Sequence, residues 1–244
     1  MKIVLPLLIA VGCIAFIACK KSNVSSAGSA TLPDMFSKFN SSLQVYTEGN
    51  YVVIKTNSVP DHKSPYFATS DSRYEAYNGT NANFMLNPNR IIDQSLTFKI
   101  PITPTEASSK SATPLGPIGV STNGVAIFNQ YAGPSQPLTN EINSFDQYNG
   151  HPQQTGQYHY HVEPKYITTQ KGKSVLLGVL LDGFPVYGPV ENGVTLTSAN
   201  LDAYHGHTGA TADFPNGIYH YHVTADAPYI NGNGFWGTPG TVTQ

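Results

Sequence analysis

Along this chain apolar residues fall in short runs, divided by turn-forming residues, rather than at helical spacing. "LQVYTEGNYVVIKTNSVP" (43–60) holds two β-branched and aromatic runs split by "EGN", which predicts a first hairpin. The polar stretch "TPTEASSKSATP" (103–114) predicts a surface loop. Beyond it, "GVSTNGVAIFN" (119–129) aligns with "GVLLDGFPVYG" (178–188) at a constant offset of 59. Gly119 falls on Gly178, Val120 on Val179, and Asn123-Gly124 on Asp182-Gly183. Apolar residues flank each Asn-Gly or Asp-Gly pair, so both segments read as hairpins closed by tight two-residue turns with positive φ.

Downstream the pattern repeats again. "FDQYNGH" (145–151) matches "LDAYHGH" (201–207) at an offset of 56, and "YHYHV" (158–162) matches "YHYHV" (219–223) at an offset of 61. The expected architecture is therefore a mainly β, antiparallel, sandwich-like single domain over residues 32–244. It contains an internal pseudo-twofold duplication with copies at about 115–164 and 174–229. Residues 32–102 are expected to add strands to the same core.

Strict alternation places Tyr158, Tyr160 and Val162 on one strand face and His159 and His161 on the other, and Tyr219, Tyr221 and Val223 oppose His220 and His222 in the same way. Seven of the eight histidines lie between 151 and 222. Imidazoles at i and i+2 can converge on one ion, and neutral imidazole suits zinc, copper, nickel or iron. His151 and His207 follow Gly150 and Gly206, whose freedom to turn would bring each toward its strand pair. The candidate ligands are thus His151, His159, His161, His207, His220 and His222, serving one shared site or two, with zinc or copper as the expected metal. Asp146, Asp202, His62 and His205 are candidates for the surrounding shell, the aspartates as acceptors that fix the imidazole tautomer or as ligands themselves, and His62 as a ligand from the amino-terminal part or a plain loop residue. His205 has no evident counterpart in the first copy. The plain alternative is a hydrogen-bonded network in which Asp-x-Tyr-x-Gly is turn chemistry and tyrosine fills the core.

Composition narrows the classes. Only 11% of residues are charged, with 13 Lys plus Arg against 15 Asp plus Glu, and no basic run could follow a phosphate backbone, so nucleic acid is not an expected partner. "MKIVLPLLIAVGCIAFIA" (1–18) reads as a secretory signal peptide, with Cys19 as the lipidated first residue of the mature chain and residues 19–31 as a flexible tether. An ordinary cleaved signal and an uncleaved anchor are the alternatives. The expectation is an exported protein of the cell envelope, membrane-attached through lipid and facing the periplasm or the cell surface. Its single mature cysteine would carry the lipid, which rules out a disulfide and thiol catalysis.

The two Tyr-His-Tyr-His strings, "DGFPVYGP" between them, "GHP" before the first, and upstream "SVPDHKSPYF", "NPN" and "FKIPITP" resemble the YHYH domain proteins, over about residues 45–237. The resemblance implies an extracytoplasmic domain and no particular reaction. Relatives often carry cysteine inside the Asp-x-Cys-x-Gly-His element and near the final "GFWG", where this chain has Tyr148, Tyr204 and Asn233. That departure speaks against a thiolate site and leaves a histidine site untouched.

Four functions stay open at the level of sequence. The first is transition-metal binding. The second is a metal-assisted hydrolase in which Asp146 or Asp202 handles the proton, ranked lower because no glutamate sits beside a ligand histidine. The third is a metal-free binding or interaction module, its tyrosines and Trp236 forming an apolar or sugar-stacking surface, and the fourth is a pH sensor built on clustered imidazoles, which repel when protonated. Whether the chain is an enzyme is not decided by sequence.

Overall fold

The computed structural model describes residue 1 and residues 30–244. The signal peptide, Cys19 and all but the end of the tether lie outside the described residues. Among those described, no helix is long and apolar enough to cross a membrane.

The first hairpin forms where expected: β1 (Gln44–Glu48) and β2 (Tyr51–Thr56) pair antiparallel around Gly49, whose φ of +59° suits glycine. β3 (Leu96–Pro101) adds to the far edge of β2. The polar stretch expected to be a loop instead contains β4 (Glu106–Ser111). Its mostly exposed residues gave no burial pattern to read, and its partner lies more than a hundred residues away near the carboxyl end.

β5 (Pro117–Ser121) and β6 (Ala126–Phe128) form the first repeat hairpin, followed by the short pair β7 (Tyr131–Ala132) and β8 (Gln136–Pro137). A 3₁₀ turn (Glu141–Ser144) then leads into β9 (Gly150–Pro152) and β10 (Tyr158–Tyr160). After α1 (Lys165–Lys171), the second half follows the same order: the hairpin β11 (Leu176–Leu180) and β12 (Pro185–Tyr187), the short pair β13 (Val190–Glu191) and β14 (Val194–Thr195), then β15 (Gly206–Gly209) and β16 (Ile218–His222). Two short strands, β17 (Phe235–Gly237) and β18 (Thr241–Thr243), return to pair with β4 and β3.

The turns of both repeat hairpins differ from the two-residue form. Gly124 N–H donates to Ser121 O at 2.9 Å, and only Gly124, at φ +86°, is left-handed. Gly183 does the same to Leu180 O at 3.0 Å, at φ +88°. These are three-residue loops ending on a left-handed glycine, so Asn123 and Asp182 keep ordinary backbone angles.

The principal sheet has eight strands in the order β15-β16-β12-β11-β5-β6-β10-β9. Reading outward from its central pair, each half presents the same elements in the same sequence. The register is symmetric too: Val179 faces Val120, with Gly178 opposite Ser121 and Leu180 opposite Gly119. Most pairs are antiparallel, but β6 with β10 and β12 with β16 run parallel. A four-stranded sheet, β1-β2-β3-β18, contributes Val52, Ile54, Phe98 and Ile100 to a core that also contains Ile118, Val120, Val179 and Val186 of the principal sheet, a sandwich-like arrangement. The buried side chains in that core, each stabilising by roughly 1.5–3 kcal/mol, hold the two sheets together.

Candidate metal centres

Each Asp-x-Tyr-x-Gly-His element is a turn held by its own aspartate. Asp146 Oδ1 accepts from Tyr148 N–H at 2.9 Å and Gly150 N–H at 3.3 Å, and Asp202 Oδ1 accepts from Tyr204 N–H at 2.9 Å and Gly206 N–H at 3.2 Å. The left-handed residue is not the glycine but the one before it: Asn149 at φ +68° and His205 at φ +72°. His205 is therefore the structural equivalent of Asn149, both being types that tolerate this region. Glycine is required at 150 for space, since a Cβ there would lie 2.3 Å from the Tyr158 ring. That ring sits over the turn because Tyr158 Oη donates to Asp146 Oδ2 at 2.8 Å, and Tyr219 Oη reaches Asp202 at 3.0 Å.

The turns deliver His151 and His207 directly opposite the strand histidines. His151 pairs with His159 in the β9–β10 register, and His207 with His220 in the β15–β16 register. In the first group the Nε2 atoms of His151 and His159 are 3.0 Å apart, as are those of His159 and His161. Glu141 completes it, with Oε1 3.3 Å from His151 Nε2. In the second group His207 Nε2 and His222 Nε2 are 3.2 Å apart, and Glu191 reaches His220 through Oε1 and His207 through Oε2, each at 3.3 Å. Glu141, His151, His159 and His161 form one set that could hold a metal ion, and Glu191, His207, His220 and His222 another. They lie at opposite ends of the eight-stranded sheet, five strand spacings or roughly 24 Å apart, too far to share an ion.

The hydrogen bonds on the far side of each ring decide what the near side can do. His159 Nδ1 is 3.0 Å from Gln157 O, and His161 Nδ1 is 2.6 Å from Asn129 O. A carbonyl only accepts, so both Nδ1 atoms carry the proton and both Nε2 atoms are bare acceptors. His151 Nδ1 is 2.7 Å from Ser144 Oγ, whose own proton goes to Glu141 O at 2.7 Å, so His151 donates there too. In the second group His220 Nδ1 donates to Ile218 O at 2.9 Å and His222 Nδ1 to Gly188 O at 2.8 Å. Asn129 and Gly188 are again equivalent positions at the offset of 59.

Lone pairs thus face lone pairs at contact distance. Extra protons do not relieve this, because burial, and then the neighbouring imidazoles, hold His151 and His159 well below the usual imidazole range. Burial alone takes His161 down to about 4, and burial takes His222 to about 4 as well. Burial also raises the Glu141 carboxyl. The aromatic walls are matched: Phe128 stacks on His159 at 3.9 Å, and its equivalent Tyr187 meets His220 edge-on at 5.4 Å.

The four residues expected in the surrounding shell bond elsewhere. Asp146 is buried among Ser64 Oγ, Tyr158 Oη and the turn amides, and Asp202 serves its own turn. His62 donates from Nδ1 to Lys63 O at 2.9 Å and packs against Tyr148 and Tyr166. His205 Nε2 lies 2.9 Å from Thr224 Oγ1. The groups that do fix the ring tautomers are Ser144 and four backbone carbonyls.

A family model for YHYH protein matches residues 97–193 and 190–234. The chain belongs to the YHYH family. The matched stretches include both His/Glu groups, while "SVPDHKSPYF" and "NPN" lie before them. No curated protein and no solved structure matches the chain.

Neither glutamate was found from sequence. Glu141 comes from a 3₁₀ turn and Glu191 from a short strand, so they share no offset. One signal was present: each is the only acidic residue between its repeat hairpin and the following Asp-x-Tyr element.

Proposed function

We propose that this YHYH family member binds two transition-metal ions, one in each group of three histidines and a glutamate. The observation that carries the reading is the protonation pattern: imidazole Nε2 atoms stripped of hydrogen by their Nδ1 bonds converge with a carboxylate, an arrangement that a cation stabilises. Donor separations of 3.0–3.3 Å suit metal–nitrogen bonds of about 2.0–2.1 Å, which give about 3.3 Å between tetrahedral ligands. Three neutral nitrogens and one carboxylate oxygen favour zinc, with copper next. The apolar segment before Cys19 and the small-residue stretch after it support an exported, lipid-tethered protein of the cell envelope. The paired sequence offsets and the symmetric register about Val120 and Val179 support descent of the two sites from a duplication.

Elemental analysis of the purified, untagged full chain after dialysis tests this. Two equivalents of zinc or copper per chain are expected. Replacing His159 and His161 by alanine should remove one equivalent, and so should replacing His220 and His222. Metal content that is negligible after incubation with each ion, or unchanged when all four are replaced, would overturn the reading.

A second reading, metal-assisted hydrolysis, is favoured by one observation. All four residues of the first group, Glu141 included, line a cleft of about 500 Å³. There the glutamate would serve as proton acceptor for a metal-bound water instead of as a fourth ligand.

A further inference from the structure

The two groups use the same residue types but differ in how their glutamates engage and in what lies above them. Glu191 spans its site, touching His220 with one oxygen and His207 with the other, and His207 is one-third exposed directly to solvent. Glu141 approaches from one side and touches His151 alone, through one oxygen. His151, His159 and His161 are almost fully buried from bulk water, yet all three line the cleft. Because Glu141 touches His151 alone, an ion held there can expand from four ligands to five by taking one more from the cleft, a cavity whose volume of about 500 Å³ lies within the range of small-molecule sites.

The walls restrict what would enter. Among the described residues, Glu141 is the only carboxylate in the lining, and no lysine, arginine or aspartate lines it. A divalent ion balanced by one carboxylate and three neutral imidazoles leaves a single positive charge, so one further anionic oxygen ligand neutralises it, and a dianion finds no second cation. Asn89 and Gln154 offer amide groups at the sides, while Leu115, Phe128 and Tyr131 are apolar or aromatic wall.

We infer that the cleft above the first group binds a small organic monocarboxylate, its carboxylate oxygen entering the coordination of the metal and its apolar body lying against Leu115, Phe128 and Tyr131; this rests on the metal reading above. The second group, capped by both oxygens of Glu191, takes no such ligand.

The test uses the full chain loaded with cobalt(II), whose visible bands report changes in coordination, titrated with acetate, butyrate, hexanoate and inorganic phosphate. Saturable band shifts are expected with the carboxylates, tightening with chain length by up to about fourfold per methylene, and none with phosphate. The shifts should persist in His220→Ala/His222→Ala and vanish in His159→Ala/His161→Ala. Leu115 is exposed at the wall, so Leu115→Asp keeps the fold and the cobalt content and should weaken hexanoate more than acetate. That variant decides the matter if a histidine variant does not fold. Cobalt bound at both sites with bands that ignore every carboxylate, or respond equally to phosphate, overturns this inference and leaves the metal reading standing. Failure to bind cobalt at all overturns the metal reading itself.

Discussion

A methyl group at Gly150 has no room. The Cβ would sit 2.3 Å from the Tyr158 ring, and that ring cannot swing aside without breaking the bond from its hydroxyl to buried Asp146. Gly150→Ala is expected to destabilise the protein by roughly 1–3 kcal/mol, the range for overpacking, and to displace His151 from the first histidine group. Gly49 is the matched control: nothing lies within 4 Å of a Cβ there, and only its φ of +59° opposes a side chain. Gly49→Ala should cost about 1 kcal/mol and leave metal content unchanged. Denaturant titration with metal analysis of both variants checks this, and equal costs with equal metal retention would remove the contact at Tyr158 from the explanation. Asp-x-Tyr-x-Gly-His was readable as a side-chain-bonded turn because the bonds from its aspartate to the Tyr148 and Gly150 amides close within six residues, whereas those to Ser64 and Tyr158 come from elsewhere in the chain.

Elements expose the difference between two turns of the same spelling. Asp146 is 2% exposed and accepts from two amides, Ser64 Oγ at 2.6 Å and Tyr158 Oη, whereas Asp202 is exposed and water can replace what it supplies. Asp146→Ala strands several buried donors, at about 1–3 kcal/mol each, and should lower stability by roughly 3 kcal/mol or more. Asp202→Ala should cost about 1 kcal/mol. Comparable losses in thermal or chemical melts would show that burial does not separate them. Burial of this kind was not legible in the sequence, and neither was partnership beyond a single hairpin. Alternation predicted the strands and the facing of tyrosine and histidine, because it depends on one strand alone. It said nothing of β6 lying parallel to β10, of polar β4 finding β17, or of the glutamates, because those depend on which elements meet. Glu141 and Glu191 come from a 3₁₀ turn and a strand and share no sequence offset, so comparing the two matched stretches did not bring them out.

At the scale of the molecule, both groups hang on one sheet, and protons act on its two ends together. His161 and His222 have folded pKa values of about 4, lowered chiefly by burial from 6.5. A group lowered in this way stays neutral in the fold while the unfolded chain takes up a proton, so its contribution is intact above pH 6.5 and is lost as pH falls toward about 4. Each such histidine withdraws on the order of 3 kcal/mol across that window, and His151 and His159 move in the same direction. Several groups together approach the 5–15 kcal/mol that stabilises a domain, so metal-stripped protein is expected to unfold cooperatively within this window. Bound metal competes with the proton for the same Nε2 lone pairs and adds its own binding energy to the folded state, so the loaded protein should stay folded to lower pH. Circular dichroism along a pH titration, with and without a chelator, makes the comparison. Coincident curves would mean that the ion stabilises nothing, and a metal-free curve flat between 6.5 and 4 would mean that the imidazoles are not held neutral by burial.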